Sequence, residues 1–122
     1  MKLLLGIGGS DDSLRALERT VERAAETGDD LTVAILRNPA TEADPAAIER
    51  RVQAVLDDAG DEAPVRHLEG DPGSRLVGLA EREEFDRIVL GGGETSPMGK
   101  IKLGSISEFV LLNSNVSVTL VR

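Results

Sequence analysis

The chain contains no cysteine, no tryptophan and no tyrosine, and it has one histidine and three lysines among 122 residues. Without cysteine there is no disulfide framework, no thiolate metal site and no cysteine nucleophile. A single histidine, His67, rules out a histidine metal cluster and makes a Ser-His-Asp triad hard to build. Aromatic residues are 2% of the chain, too few for a base-stacking platform. Cationic residues are outnumbered: Lys+Arg 14 against Asp+Glu 22 gives a net charge of −8. Such a surface repels nucleic acid and anionic membranes. Long apolar runs are also missing. Leu3-Leu4-Leu5 is far short of the ~20 residues of a membrane span, and the first residues lack the layout of a secretory signal. These absences lead to the expectation of a soluble, cytoplasmic protein with no nucleic-acid and no membrane partner. An acidic, lysine-poor surface fits a halophilic protein of a salt-rich cytoplasm, and equally an ordinary acidic one.

The apolar pattern is what remains, and it alternates between two periods. Met1 to Gly6, Leu31 to Leu36, Val65 to Leu68 and Arg87 to Leu90 are short apolar runs of the kind found in parallel strands covered on both faces. Between them run stretches with apolar residues at helical spacing. The first is predicted from about Ser13 to Thr27, capped by Ser10 or Asp11 and stopped by Gly28. Asp44-Pro45 and Asp71-Pro72 each mark a helix start, with aspartate as cap and proline in the first turn, and Gly60 ends the second helix. A helix opening at Gly104-Ser105 and a last, alternating strand from Val116 to Val121 complete the series. The order β-α-β-α-β-α-β-α-β over residues 1–122 predicts one α/β domain built on a mainly parallel sheet with helices on both faces.

In such sheets ligands sit beyond the C-terminal ends of the strands. Here those ends are rich in glycine. Gly6-Ile7-Gly8 begins like a dinucleotide fingerprint, but Asp11 occupies the third glycine position and Asp12 adds another carboxylate, so that pattern is rejected. Gly8 and Gly9 are read in preference as a tight strand-to-helix turn. A P-loop at Gly99-Lys100 fails as well, with Glu94 at the leading glycine and Ile101 where a magnesium-binding hydroxyl belongs. Binding physics nonetheless remains in this segment. Gly91, Gly92 and Gly93 allow close backbone approach, Thr95 and Ser96 supply hydroxyls, and Lys100 and Lys102 are two of the three lysines. Free N–H groups at Gly104-Ser105 favour an anion. Against that, Ser105-Ile106-Ser107-Glu108 reads as a capping box that would satisfy those groups internally.

From Leu3 to Arg122 the chain resembles the universal stress protein family. The residues that carry the likeness are Ile7 to Leu17, Gly70-Asp71-Pro72, Phe85 to Gly91, and above all Leu103 to Val110 followed by Val116 to Arg122. The resemblance implies a three-layer Rossmann-like doubly wound sheet of five strands in the order 3-2-1-4-5, and dimers paired through the last strand. It also implies, for some members, binding of ATP or AMP, with magnesium. Nucleotide-binding members carry Gly, two residues, Gly, nine residues, Gly, then Ser or Thr. Gly91, Gly104 and Ser105 match; Glu94 stands at the second glycine, and Gly8 stands where binding members have an acidic residue. The site implied for nucleotide is Ile7, Gly8, Gly9, Ser10, Gly91 to Gly93, Glu94, Thr95 and Gly104 to Ile106.

The last strand supports dimerisation on its own residues. Val116, Val118 and Leu120 share one face, and no proline or lysine guards the edge against another chain. Three functional readings follow: a nucleotide-binding stress-response homodimer with at most slow ATP hydrolysis, a dimeric interaction module of the same fold that has lost ATP, and an enzyme of the wider nucleotide-binding α/β group. The last suffers from the lack of a nucleophile-base pair. His67 and the acidic runs Glu81 to Glu84 and Asp57-Asp58 read as exposed surface.

Overall fold

The structure is a computed structural model and describes residues 1–8, 11–37, 44–91, 94–95, 101–102 and 104–121. The elements in chain order are β1 (Lys2–Ile7), α1 (Asp11–Thr27), β2 (Asp30–Leu36), α2 (Pro45–Ala59), β3 (Val65–Leu68), α3 (Pro72–Arg82), β4 (Arg87–Gly91), β5 (Glu94–Thr95), β6 (Ile101–Lys102), α4 (Ser105–Asn113) and β7 (Ser117–Val121). Five strands form one sheet in the order β3-β2-β1-β4-β7, every pair parallel. Counting only these five, the order is 3-2-1-4-5. The two remaining strands form a small antiparallel ribbon.

The sheet is buried on both faces because its strands are apolar on both. Leu3, Leu5 and Ile7 of β1 pack with Leu14, Leu17 and Val21 of α1 and with Ile48, Val52 and Leu56 of α2. Leu4, with Ile88 and Leu90 of β4, packs with Leu76, Leu79 and Ala80 of α3 and Val110 of α4. Right-handed crossovers between parallel neighbours put α1 and α2 on one side and α3 and α4 on the other.

The predicted helix starts at Asp44 and Asp71 are realised with side-chain caps, Asp44 on the Ala46 amide at 3.1 Å and Asp71 on the Ser74 amide at 3.0 Å. Gly60 closes α2 in a left-handed conformation (φ 66°) that suits glycine. Strand ends shift by a residue from expectation, and two larger differences bear on the site. Helix α1 begins at Asp11 rather than near Ser13, so Asp11 is its first residue and not its cap, and two acidic residues stand in the turn where the helix dipole favours them. The segment between β4 and α4, expected to be a loop, contains the β5–β6 ribbon, with Glu94 opposite Lys102 and Thr95 opposite Ile101.

Charged groups fasten the N-terminal end of β1. The Met1 ammonium lies 3.1 Å from Asp29, the Lys2 amide donates to Asp86 at 2.7 Å, and the Lys2 ammonium donates to the Glu83 carbonyl at 2.6 Å while lying over the Phe85 ring. The Thr27 hydroxyl and the Met1 amine hold the Asp29 carboxyl below its usual range, the Ser74 amide does the same for Asp71, and Arg66 for Glu83. Asp29 in turn raises the Met1 amine. Depressed carboxylates stabilise the fold above about pH 4 and lose that contribution as pH falls through their folded values. A raised amine stabilises below about pH 8 and loses its contribution as pH rises. We therefore expect urea midpoints to fall modestly on both the acid and the alkaline side, with the alkaline fall shrinking in Asp29→Asn. An alkaline limb unchanged in that variant contradicts the assignment.

Candidate functional site

Strands β1 and β4 lie side by side in parallel, with Leu5 paired to Val89, so their C-terminal ends open at the same edge. Ile7, the last residue of β1, is buried, and a Cβ on Gly8, which follows it, would meet nothing within 4 Å among the described residues beyond its chain neighbours. Gly91 ends β4. A Cβ there would lie 3.0 Å from the backbone carbonyl carbon and oxygen of Asp12 and 3.1 Å from the amide nitrogen of Ser13. Gly91 is thus required by the first turn of α1, which passes directly over it, and its glycine identity is explained without a ligand.

Helix α4 reaches the same place from the other side. The Ser107 hydroxyl points to the Gly91 carbonyl at 3.5 Å. The helix cap is Gly104, whose carbonyl accepts the first helical hydrogen bond from the Glu108 amide at 3.0 Å. The predicted capping box is not formed. Ser105 is the first helical residue rather than the cap, which moves Glu108 one place beyond the position from which a box is closed. Among the described residues no side chain caps this end, and a Cβ on Gly104 would meet nothing within 4 Å. Ser105 is exposed, and Ile106 is half-buried against the α3–α4 side of the core.

The structure therefore brings together the end of β1, the end of β4 and the first turns of α1 and α4. Two helix N-termini converge on one mouth, each carrying partial positive charge. The negative charge of Asp12 there is partly met by Arg15, 3.9 Å away on the next turn. Among the predicted residues, Ile7, Gly8, Gly91, Gly104, Ser105 and Ile106 fall at this mouth. Glu94 and Thr95 are placed by backbone register alone, and Gly9, Ser10, Gly92, Gly93, Ser96 and Lys100 lie outside the described residues. Ser107 was not singled out in the sequence, although a serine in the first turn of that helix was the available signal.

The other predicted residues lie elsewhere. Val118 and Leu120 on β7, and Val116 just before it, are half-buried against the α3–α4 core. β7 is an edge strand of the sheet, paired with β4 on one side. His67 sits on the opposite edge strand, β3, exposed and 3.3 Å from Glu49. Among the described residues no helix is long and apolar enough to cross a membrane.

A doubly wound parallel sheet with helix N-termini gathered at one strand end defines the class: a Rossmann-like α/β protein. Comparison with known proteins narrows the class. The family model described as the universal stress protein family matches residues 34–122, and the chain belongs to that family. Two universal stress proteins of Methanocaldococcus jannaschii are similar to it. One is 30% identical over 73 residues, 60% of this chain and 43% of that protein. The other is 28% identical over 120 residues, 98% of this chain and 64% of that protein. The matched part of the chain thus spans less than two thirds of the length of these relatives. Among solved structures, a universal stress protein in complex with cAMP superposes with a TM-score of 0.78 at 31% identity, covering 100% of this chain and 96% of that one.

Proposed function

We propose that the chain binds an adenine nucleotide, ATP or AMP, at the mouth formed by Ile7, Gly8, Gly91 and Gly104 to Ile106, with the flanking residues Gly9, Ser10, Gly92, Gly93, Glu94 and Thr95 completing the site. The observation that carries this reading is the bare start of α4. Gly104 is a helix cap with an ordinary φ of −70°, and among the described residues it has no side-chain partner and no atom within 4 Å of where a Cβ would stand. The fold itself does not demand glycine there; an approaching phosphate does, because a side chain would fill the space its oxygens need. The similar structure holding cAMP, itself an adenine nucleotide, supports the choice of ligand. The reading is one of binding rather than chemistry, with nucleotide occupancy altering affinity for protein partners in a cytoplasmic stress response.

The same reading includes a homodimer joined through β7. Its outer edge has no neighbour among the described residues, and Leu112 on the adjacent α4 is 76% exposed. An antiparallel two-fold pairing would satisfy the free strand edge and cover apolar surface. A second reading, favoured by Glu94 and Gly8, keeps the dimer and drops the nucleotide.

Calorimetric titration with Mg-ATP and with AMP, at low and at molar KCl, tests the first reading, with sedimentation run on the same samples. Binding is expected in at least the high-salt condition, where the acidic surface is screened. The sedimenting mass is expected to be twice 12.9 kDa. Absence of heat and of thermal shift in both salts overturns nucleotide binding and leaves the interaction module.

A further inference from the structure

Helix α1 lies over β1 and β4 and reaches β7 only at its margin, with Val121 packed against the same core. Between α1 and β7 is a cleft of about 430 Å³, within the size range of small-molecule sites. Its floor is apolar, made by Leu3, Val89 and Val121 from three adjacent strands. Its walls are cationic: Arg19 and Arg23 stand one turn apart on α1, and Arg87 rises from β4.

Three guanidiniums around one apolar cleft are out of keeping with a chain of net charge −8. The carboxylate in the lining, Asp29, is already engaged by the Met1 amine at 3.1 Å and the Thr27 hydroxyl at 2.6 Å. Among the described residues Arg19 and Arg87 form no salt bridge, and Arg23 acts on Asp29 through charge alone. Arg87 donates to the Thr119 hydroxyl at 3.1 Å, while its Nε is buried with no hydrogen-bond partner. A buried donor of a charged group without an acceptor is costly, and native folds rarely keep one without a reason.

We propose that this cleft is a second ligand site, for a small amphipathic anion whose carboxylate or phosphate head meets Arg19, Arg23 and Arg87 and whose apolar body lies on Leu3, Val89 and Val121. Guanidinium groups suit both heads because their donors match two oxygens at once. The cleft runs from Met1, Leu3 and Arg87 at the N-terminal ends of the strands to Val121, the register partner of Gly91, while its three arginines lie toward the end away from the nucleotide mouth, so competition with nucleotide distinguishes the two sites.

Calorimetry with octanoate, octyl phosphate and inorganic phosphate at low salt tests it. At least one octyl probe is expected to bind with Kd below about 1 mM, and the tighter of the two identifies the head. Inorganic phosphate, lacking the apolar body, is expected to bind at least tenfold more weakly, on the order of two buried CH₂ groups. The double variant Arg19→Glu/Arg23→Glu, on an exposed helix face, is expected to fold normally and to lose at least tenfold in affinity, and Arg87→Gln likewise wherever its circular dichroism is native. Saturating Mg-ATP is expected to leave octyl binding unchanged. Failure of both octyl probes, phosphate binding as tightly as octyl phosphate, affinity unchanged in the double variant, or displacement by Mg-ATP each overturns the proposal.

Discussion

Replacement of Gly91 by valine is expected to lower the melting temperature by roughly 10 °C, from about 3 kcal/mol of overpacking in a domain of this size. The magnitude follows from what the new side chain would strike. The neighbours at 3.0 and 3.1 Å are backbone atoms of Asp12 and Ser13 in the first turn of α1, which cannot rotate away as a side-chain tip can. Helix and strand must separate, which loosens the contacts Leu14 and Leu17 make with the sheet. Two other glycines provide the control. A Cβ at Gly8 or at Gly104 would meet nothing within 4 Å among the described residues and needs no left-handed backbone, so neither Gly8→Ala nor Gly104→Asp should destabilise the fold. Gly104→Asp should stabilise α4 by a few tenths of a kcal/mol as a cap and should abolish nucleotide binding by placing a carboxylate where phosphate belongs. Thermal melts of the three variants separate the glycine the fold requires from those it does not. A melting temperature for Gly91→Val within about 2 °C of wild type, less than 1 kcal/mol, contradicts the assignment.

Glu94→Gly is expected to raise ATP affinity at low salt by up to about a thousandfold. A unit charge about 4 Å from another at an effective dielectric of 20 is worth ~4 kcal/mol. Two circumstances reduce that figure. Lys102 is the register partner of Glu94 in the β5–β6 ribbon, and opposite charges on paired strands offset one another. Molar KCl shortens the screening length to about 3 Å, so the gain should shrink strongly there. The informative result is the salt dependence. Titrations of both proteins across KCl should converge at high salt and diverge at low salt. Equal affinities at low salt would place the Glu94 carboxylate outside the field of the phosphates.

Much of the fold was legible because its signals are local. Asp44-Pro45, Asp71-Pro72 and Gly60 punctuate helices through chemistry confined to one turn, and the run from Val65 to Leu68 coincides with β3. The site was less legible because its determinants are shared between distant segments. Ser105 to Glu108 has the spacing of a capping box, but the first helical hydrogen bond runs to the Gly104 carbonyl, one residue earlier, and spacing alone cannot choose between the two frames. Gly91 stood out as a glycine that would admit a ligand, whereas the atoms it admits belong to Asp12 and Ser13, brought there by a crossover between strands. The β5–β6 ribbon has two residues per strand, too few to display a period. The arginine cleft had no signature either, since Arg19 and Arg23 look like an ordinary solvated stripe until Arg87 and the bare strand edge are placed beside them.

The strand order carries a consequence for how the chain is made. Of the five sheet strands β1 is synthesised first yet is central, flanked by β2 on one side and β4 on the other. Residues up to Leu68 can complete β3-β2-β1, while the opposite flank of β1 waits unpaired for β4 to be synthesised. A β1 flank that has not yet paired with β4 is an open strand edge of the kind that another chain can join. Translation speed through α3, rather than the stability of the finished protein, then sets the exposure to misassembly.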